Sequence, residues 1–161
     1  MQEILHDLPG GRKERLHLRL SHGGLAAGLL EGTGLPEPAH TSLLAALPSW
    51  EGLPASQLSA RLQAAGLPDQ SALSLAALLA GEGGLGQLGS ILRPATRRPG
   101  PASDRIKAGL AELRTVESLA RGLGLTLDTV YRVSPALPPS IYAGLQVCGS
   151  QAAHVCLILI F

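Results

Sequence analysis

Aromatic side chains are nearly absent from this 161-residue chain, which has one Trp, one Phe and two Tyr. That argues against a sandwich or barrel filled by aromatic strands, so burial must come from Leu and Ala, which favours packed helices. Cysteine is scarce as well: Cys148 and Cys156 alone build neither a disulfide scaffold nor a four-ligand zinc site. An excess of one charge is also missing. Thirteen Lys plus Arg against 12 Asp plus Glu leave a net charge of +1, so the chain has no global electrostatic footprint for DNA or RNA. Long apolar runs are lacking too. The start, "MQEILHDLPGG", has no leader core, and the terminal "HVCLILIF" falls well short of the ~20 apolar residues that span a bilayer. A soluble chain in a reducing, cytoplasmic compartment with no membrane partner is the expectation.

Recognisable catalytic chemistry is missing in the same way. "GEGGLGQLG" is followed by no Lys-Ser/Thr and reads as a flexible turn, not a phosphate loop. The five histidines are scattered, and His17 and His22 have opposite strand parity, so no metal site is expected. Ser21 beside His22, or Cys156 near His154, would be nucleophile pairs without an oxyanion turn or an orienting carboxylate. Ser21 reads better as a helix cap and His154 as a surface residue. The chain is expected to hold no catalytic residue and no cofactor.

What is present is punctuation: 20 Gly and 12 Pro among 45% apolar residues. Ile4, Leu5 and Leu8 give a short helical face. Leu16, Leu18 and Leu20 alternate with His17 and Arg19, the period-2 mark of a half-buried strand. Ser21 is then expected to cap a helix carrying Leu25, Leu29 and Leu30, stopped by Gly32 and Gly34. The triplet Gly-Leu-Pro recurs at Gly34, Gly52 and Gly66. In each, Gly takes the left-handed conformation after one helix, Leu packs back and Pro starts the next. Helices are predicted over 37–47, 55–65, 69–80 and, more weakly, 84–92.

The stretch "RPATRRPG" reads as a solvated linker. Ser103 is expected to cap the clearest helix, where Ile106, Leu110, Leu113, Val116, Ala120 and Leu123 recur at helical steps and Glu117 can pair with Arg121. Beyond Gly122 and Gly124, "LTLDTVYRV" is rich in β-branched residues and leans to strand. "SIYAGLQVC" and "HVCLILIF" are two further strand candidates. The chain therefore reads as α+β, with a sheet built from both ends and helices inserted between.

The order of these motifs resembles the histidyl-tRNA synthetase-like domains. "LHLRLSHGGLAAGLLEGTGLPE" is similar to the strand, His turn and helix that follow their second class-defining motif. "IKAGLAELRTVESLARGLGLTL" looks like the helix and strand leading to the histidine-site motif, and Tyr142 with Gly144 matches the end of that motif's Tyr-Tyr-Thr-Gly. Among such domains, the opening residues, "EGGLGQLGSIL" and the run Val130, Tyr131, Arg132 and Val133 most resemble the pseudo-synthetase domain of the kinases that sense uncharged tRNA and phosphorylate initiation factor 2 alpha.

The resemblance implies a partial class II synthetase-like fold, with antiparallel strands and an inserted block of short helices. Its divisions are 1–22 as short helix and strand, 23–92 as helical insertion, 93–102 as Pro/Arg linker, 103–147 as long helix plus strands, and 148–161 as a divergent tail. It implies a degenerate histidine site at Tyr131, Arg132, Tyr142 and Gly144. Where a working synthetase carries Arg-Gly-Leu-Asp before Tyr-Tyr-Thr-Gly, this chain reads "SPALPPSIYAG". Without a cationic clamp on the phosphates, adenylate chemistry has nothing to stabilise its transition state.

The expected function is that of a non-catalytic regulatory fragment of a kinase that controls translation initiation in amino-acid starvation. Its implied partners are uncharged tRNA, bound through the full-length domain, a second copy of itself, and the ribosome. Charge alone marks Arg93, Arg97, Arg98 and Arg105 as RNA-facing. One alternative is a regulatory subunit of ATP phosphoribosyltransferase. Another is a helix-turn-helix DNA binder, suggested by the spacing of Ala120, Gly124, Val130 and Val133, with a recognition helix over 126–134.

Overall fold

The computed structural model describes residues 17–122, 128–133, 145–149 and 156–157. The expected helix at Ile4, Leu5 and Leu8, the motif residues Tyr142 and Gly144, and most of the tail lie outside the described residues.

Strand β1, His17–His22, runs directly into helix α1, Gly23–Glu31. The Gly-Leu-Pro joints then behave as their chemistry dictates. Gly34, Gly52 and Gly66 have φ of +75°, +78° and +100°, the left-handed region that only glycine occupies without strain. The prolines that follow sit extended just before α2, Glu37–Ala46, α3, Ala55–Ala64, and α4, Asp69–Leu79. Leu67 is buried, and Leu35 and Leu53 pack against the core. A single 3-10 turn, Leu47–Trp50, extends α2 and carries Trp50 into the interior.

The Gly-rich stretch, read as a flexible turn before the helix predicted over 84–92, contains the two-residue strand β2, Glu82–Gly83. It leads into α5, Leu85–Leu92. The long helix α6, Pro101–Gly122, follows. Strands β3, Asp128–Arg132, β4, Leu145–Gly149, and β5, Cys156–Leu157, complete the described elements.

Two capping expectations are corrected. Ser21 is buried within β1, and the residue that caps α1 is His22, whose Nδ1 accepts the Gly24 N–H at 3.0 Å. The imidazole reaches the exposed first-turn amide as a serine hydroxyl would. Ser103 lies inside α6 instead of capping it, and its buried hydroxyl donates to the Thr96 carbonyl at 3.3 Å. The helix begins two residues earlier because Pro101, which has no N–H to satisfy, suits its first position.

Among the described residues the strands form one sheet in the order β2-β3-β1-β4-β5. β1 pairs in parallel with β3 and antiparallel with β4, while β2 and β5 pair antiparallel with β3 and β4. The α+β class therefore holds, but the sheet is mixed where antiparallel strands were expected. A long helical crossover between β1 and β3 is what parallel pairing requires. The register also sets Cys148 opposite Cys156.

The strand assignment of β3 removes the helix-turn-helix reading. Residues 128–132 are laid against β1 from Asp128 opposite His17 to Arg132 opposite Ser21. A segment whose backbone groups are committed to a sheet interior cannot be a recognition helix.

The core runs from this sheet into the helices. Leu25, Leu30, Leu47, Leu62, Leu88, Leu92, Ile106, Leu113 and Val133 are fully buried. Burying each contributes about 1.5–3 kcal/mol before entropy is counted. α1 crosses α6 closely because each helix turns a glycine to the other, Gly28 towards Ala102 and Ile106 and Gly109 towards Leu25. A Cβ on Gly28 would come within 2.7 Å of the Ala102 carbonyl and of the Ile106 side chain.

Candidate functional site

Three clusters of polar side chains stand out. The first is at the α1–α6 crossing. His22 is buried, and atoms of its ring lie within 2.9 Å of where a Cβ would stand on Gly24 or on Gly109. Because Nδ1 accepts from Gly24, the ring hydrogen resides on Nε2. It points at Glu112 Oε2, 2.8 Å away. The glycines make the slot, and the slot holds one imidazole orientation. Nothing in the sequence pattern paired His22 with Glu112, ninety positions apart.

The second cluster is on β3. Tyr131 is buried in the core. Burial raises its hydroxyl above the ordinary 10.0, Glu117 raises it further and Arg121 draws it back. Its neighbour Arg132 points the other way, as alternation along a strand requires. Its guanidinium is ion-paired with Glu51, in the turn after the 3-10 helix, and its Nε lies 3.5 Å from Glu82 on β2. The Arg132 side chain is only 16% exposed. It therefore clamps three chain segments together and is already neutralised. Tyr142 and Gly144 cannot be placed beside these residues because they lie outside the described ones.

The third cluster concerns the arginines. Arg93, Arg97, Arg98 and Arg105 are all exposed. Arg105 is paired with Glu31 at 3.0 Å. Arg93, Arg97 and Arg98 have no ion pair among the described residues. Of the four, Arg93 alone lines the groove of about 410 Å³ between α5 and α6, where it joins Lys107 and Arg114. The sequence reading missed those two. The signal was available, since residues seven apart share a face of a helix.

Among the described residues no three His, Cys, Asp or Glu side chains converge as metal ligands, and no helix is long and apolar enough to cross a membrane.

No protein-family model matches this sequence, and no curated protein matches it. Solved structures do. Histidyl-tRNA synthetase from Nostoc sp. PCC 7120 superposes with a TM-score of 0.70 at 14% identity, over 84% of this chain and 32% of that one. An ATP phosphoribosyltransferase regulatory subunit/histidyl-tRNA synthetase from Bacillus halodurans C superposes with a TM-score of 0.67 at 16% identity, over 88% of this chain and 36% of that one. The chain thus has a histidyl-tRNA synthetase-like class II fold and spans about a third of the length of either neighbour.

Proposed function

We propose that the chain is a non-catalytic, histidyl-tRNA synthetase-like regulatory domain that acts on an enzyme through protein contacts. The observation that carries this reading is the state of β3. Arg132 is held by Glu51 and Glu82, and Tyr131 is packed into the core. The basic residue of that strand is thereby unavailable to an acyl phosphate, whose developing charge an adenylate-forming site must meet with free cations. The replacement of Arg-Gly-Leu-Asp by "SPALPPSIYAG" supports the same conclusion.

We assign the regulated enzyme to ATP phosphoribosyltransferase. The support is the fold shared with a protein described as that enzyme's regulatory subunit. A near-neutral net charge of +1 also suits a protein partner better than a polyanion. The test uses the full-length protein with purified ATP phosphoribosyltransferase. A stable complex on gel filtration, a changed turnover rate and no histidine-dependent ATP–pyrophosphate exchange are expected. Exchange activity would refute the non-catalytic reading, and failure to form the complex would refute the partner.

One observation favours a second reading, a domain that senses uncharged tRNA for a translational kinase. Arg93, Arg97 and Arg98 are exposed and unpaired among the described residues, as phosphate contacts would need to be. Salt-dependent binding of deacylated tRNA by the full-length protein, lost on replacing those three arginines with Ala, would establish it.

A further inference from the structure

We infer that the groove between α5 and α6 is a binding site for a phosphorylated small molecule of about mononucleotide size. This goes beyond the regulatory reading and stands whether or not that reading does.

Charge is the first support. Arg93, Lys107 and Arg114 line one concavity. Arg93 and Arg114 have no acidic partner among the described residues, and the one carboxylate near Lys107, that of Asp104, is exposed and 3.9 Å away. Three cations facing one cavity repel each other, and a bound phosphate relieves that repulsion through charge-assisted hydrogen bonds.

Shape is the second. α5 turns Gly86 and Gly89 to the groove. A Cβ on Gly86 would meet nothing within 4 Å, and one on Gly89 would stand 3.8 Å from Arg114 Nη2. The helix surface is bare there, so a ligand can lie against its backbone with the Arg114 guanidinium beside it. The volume of about 410 Å³ falls within the range of small-molecule sites.

Polarity is the third. Ser90 and Thr96 line the groove, and each hydroxyl already donates to a backbone carbonyl, of Gly86 at 3.1 Å and of Arg93 at 3.2 Å. Their oxygen lone pairs are left to accept from the hydroxyls of a sugar. Phosphate at three cations and a sugar at two acceptors is the chemistry of a nucleotide or a sugar phosphate. A single-stranded nucleic acid would instead call for cations spread along a track and aromatic platforms. No aromatic residue lines this groove, and the exposed Arg97 and Arg98 lie outside it.

The test is calorimetric titration of the full-length protein with ATP, AMP and inorganic pyrophosphate. Saturable binding at one site is expected for at least one of the three probes. Lys107→Ala and Arg114→Ala should each weaken it about tenfold, the effect of losing one charge-assisted hydrogen bond. Gly86→Leu, which fills the groove and changes no charge, should weaken it at least as much, and Arg98→Ala should leave it unchanged. Should Gly86→Leu fail to fold, the two exposed cation variants still decide the question. Binding that Lys107→Ala and Arg114→Ala leave intact, or that Arg98→Ala weakens equally, would overturn the proposal. So would binding of a single-stranded RNA oligomer alone, or of none of the three probes.

Discussion

The helices between Glu37 and Leu79 and the strands that flank them show two ways of ordering a chain. Each of those helices is set by its own joint: a left-handed glycine, a leucine that folds back and an extended proline, all within three positions. The sheet has no such local instruction. β1 finds β3 and β4 only on the far side of the whole helical block, and the glycines that let α1 meet α6 are equally far apart in sequence. Local joints need few residues to agree. The sheet and the helix crossing need the entire molecule to agree, so a single misfit there should cost more.

The sharpest way to break this comparison is to put the same kind of change in both regions. Gly28→Ala at the α1–α6 crossing must displace the Ala102 carbonyl and Ile106, and should destabilise the protein by about 3 kcal/mol in urea unfolding. Gly66→Ala meets no neighbour and pays only for its positive φ, about 1 kcal/mol. Equal losses would mean that the crossing is no tighter a constraint than a joint.

The Arg132 clamp reaches from the sheet to the turn after the 3-10 helix and so belongs to both regions. A double-mutant cycle with Arg132→Gln and Glu51→Gln should show a coupling of about 1 kcal/mol, because the arginine is largely shielded from water while its partner is partly exposed. A coupling near zero would assign the clamp to surface decoration.

The smallest effect concerns pH. Tyr131 in the unfolded chain ionises near 10.0 and in the folded chain only above that. The unfolded state therefore releases its proton first, and stability falls as pH rises from about 10 through the folded value. Tyr131→Phe should flatten that part of the stability curve and leave the region below pH 9 unchanged in slope. An identical alkaline slope in the variant would place the loss elsewhere.

Legibility in the sequence followed the same divide. The helical boundaries, the α+β class and the strand at 128–132 could be read from Gly, Pro, leucine spacing and β-branched content. Three features could not. By residue type Ser21 is the better cap, and what favours His22 is the slot between Gly24 and Gly109. The pairing of Arg132, expected only as part of a degenerate histidine site, was not visible because Glu51 and Glu82 are unrelated to it by spacing. Arg93 was recognised as exposed, but its company was not, since Lys107 and Arg114 reach it only across the packing of α5 on α6.

By itself, then, the sequence determined a leucine-filled chain of short helices with strands at both ends, because turn chemistry and periodicity act over a few residues. Only the tertiary structure decided that β1 and β3 run parallel, that Arg132 is neutralised and that three cations share one groove. Each of these depends on distances between segments far apart along the chain. Those distances are set when the α1–α6 crossing and the sheet close together, and no local preference specifies them.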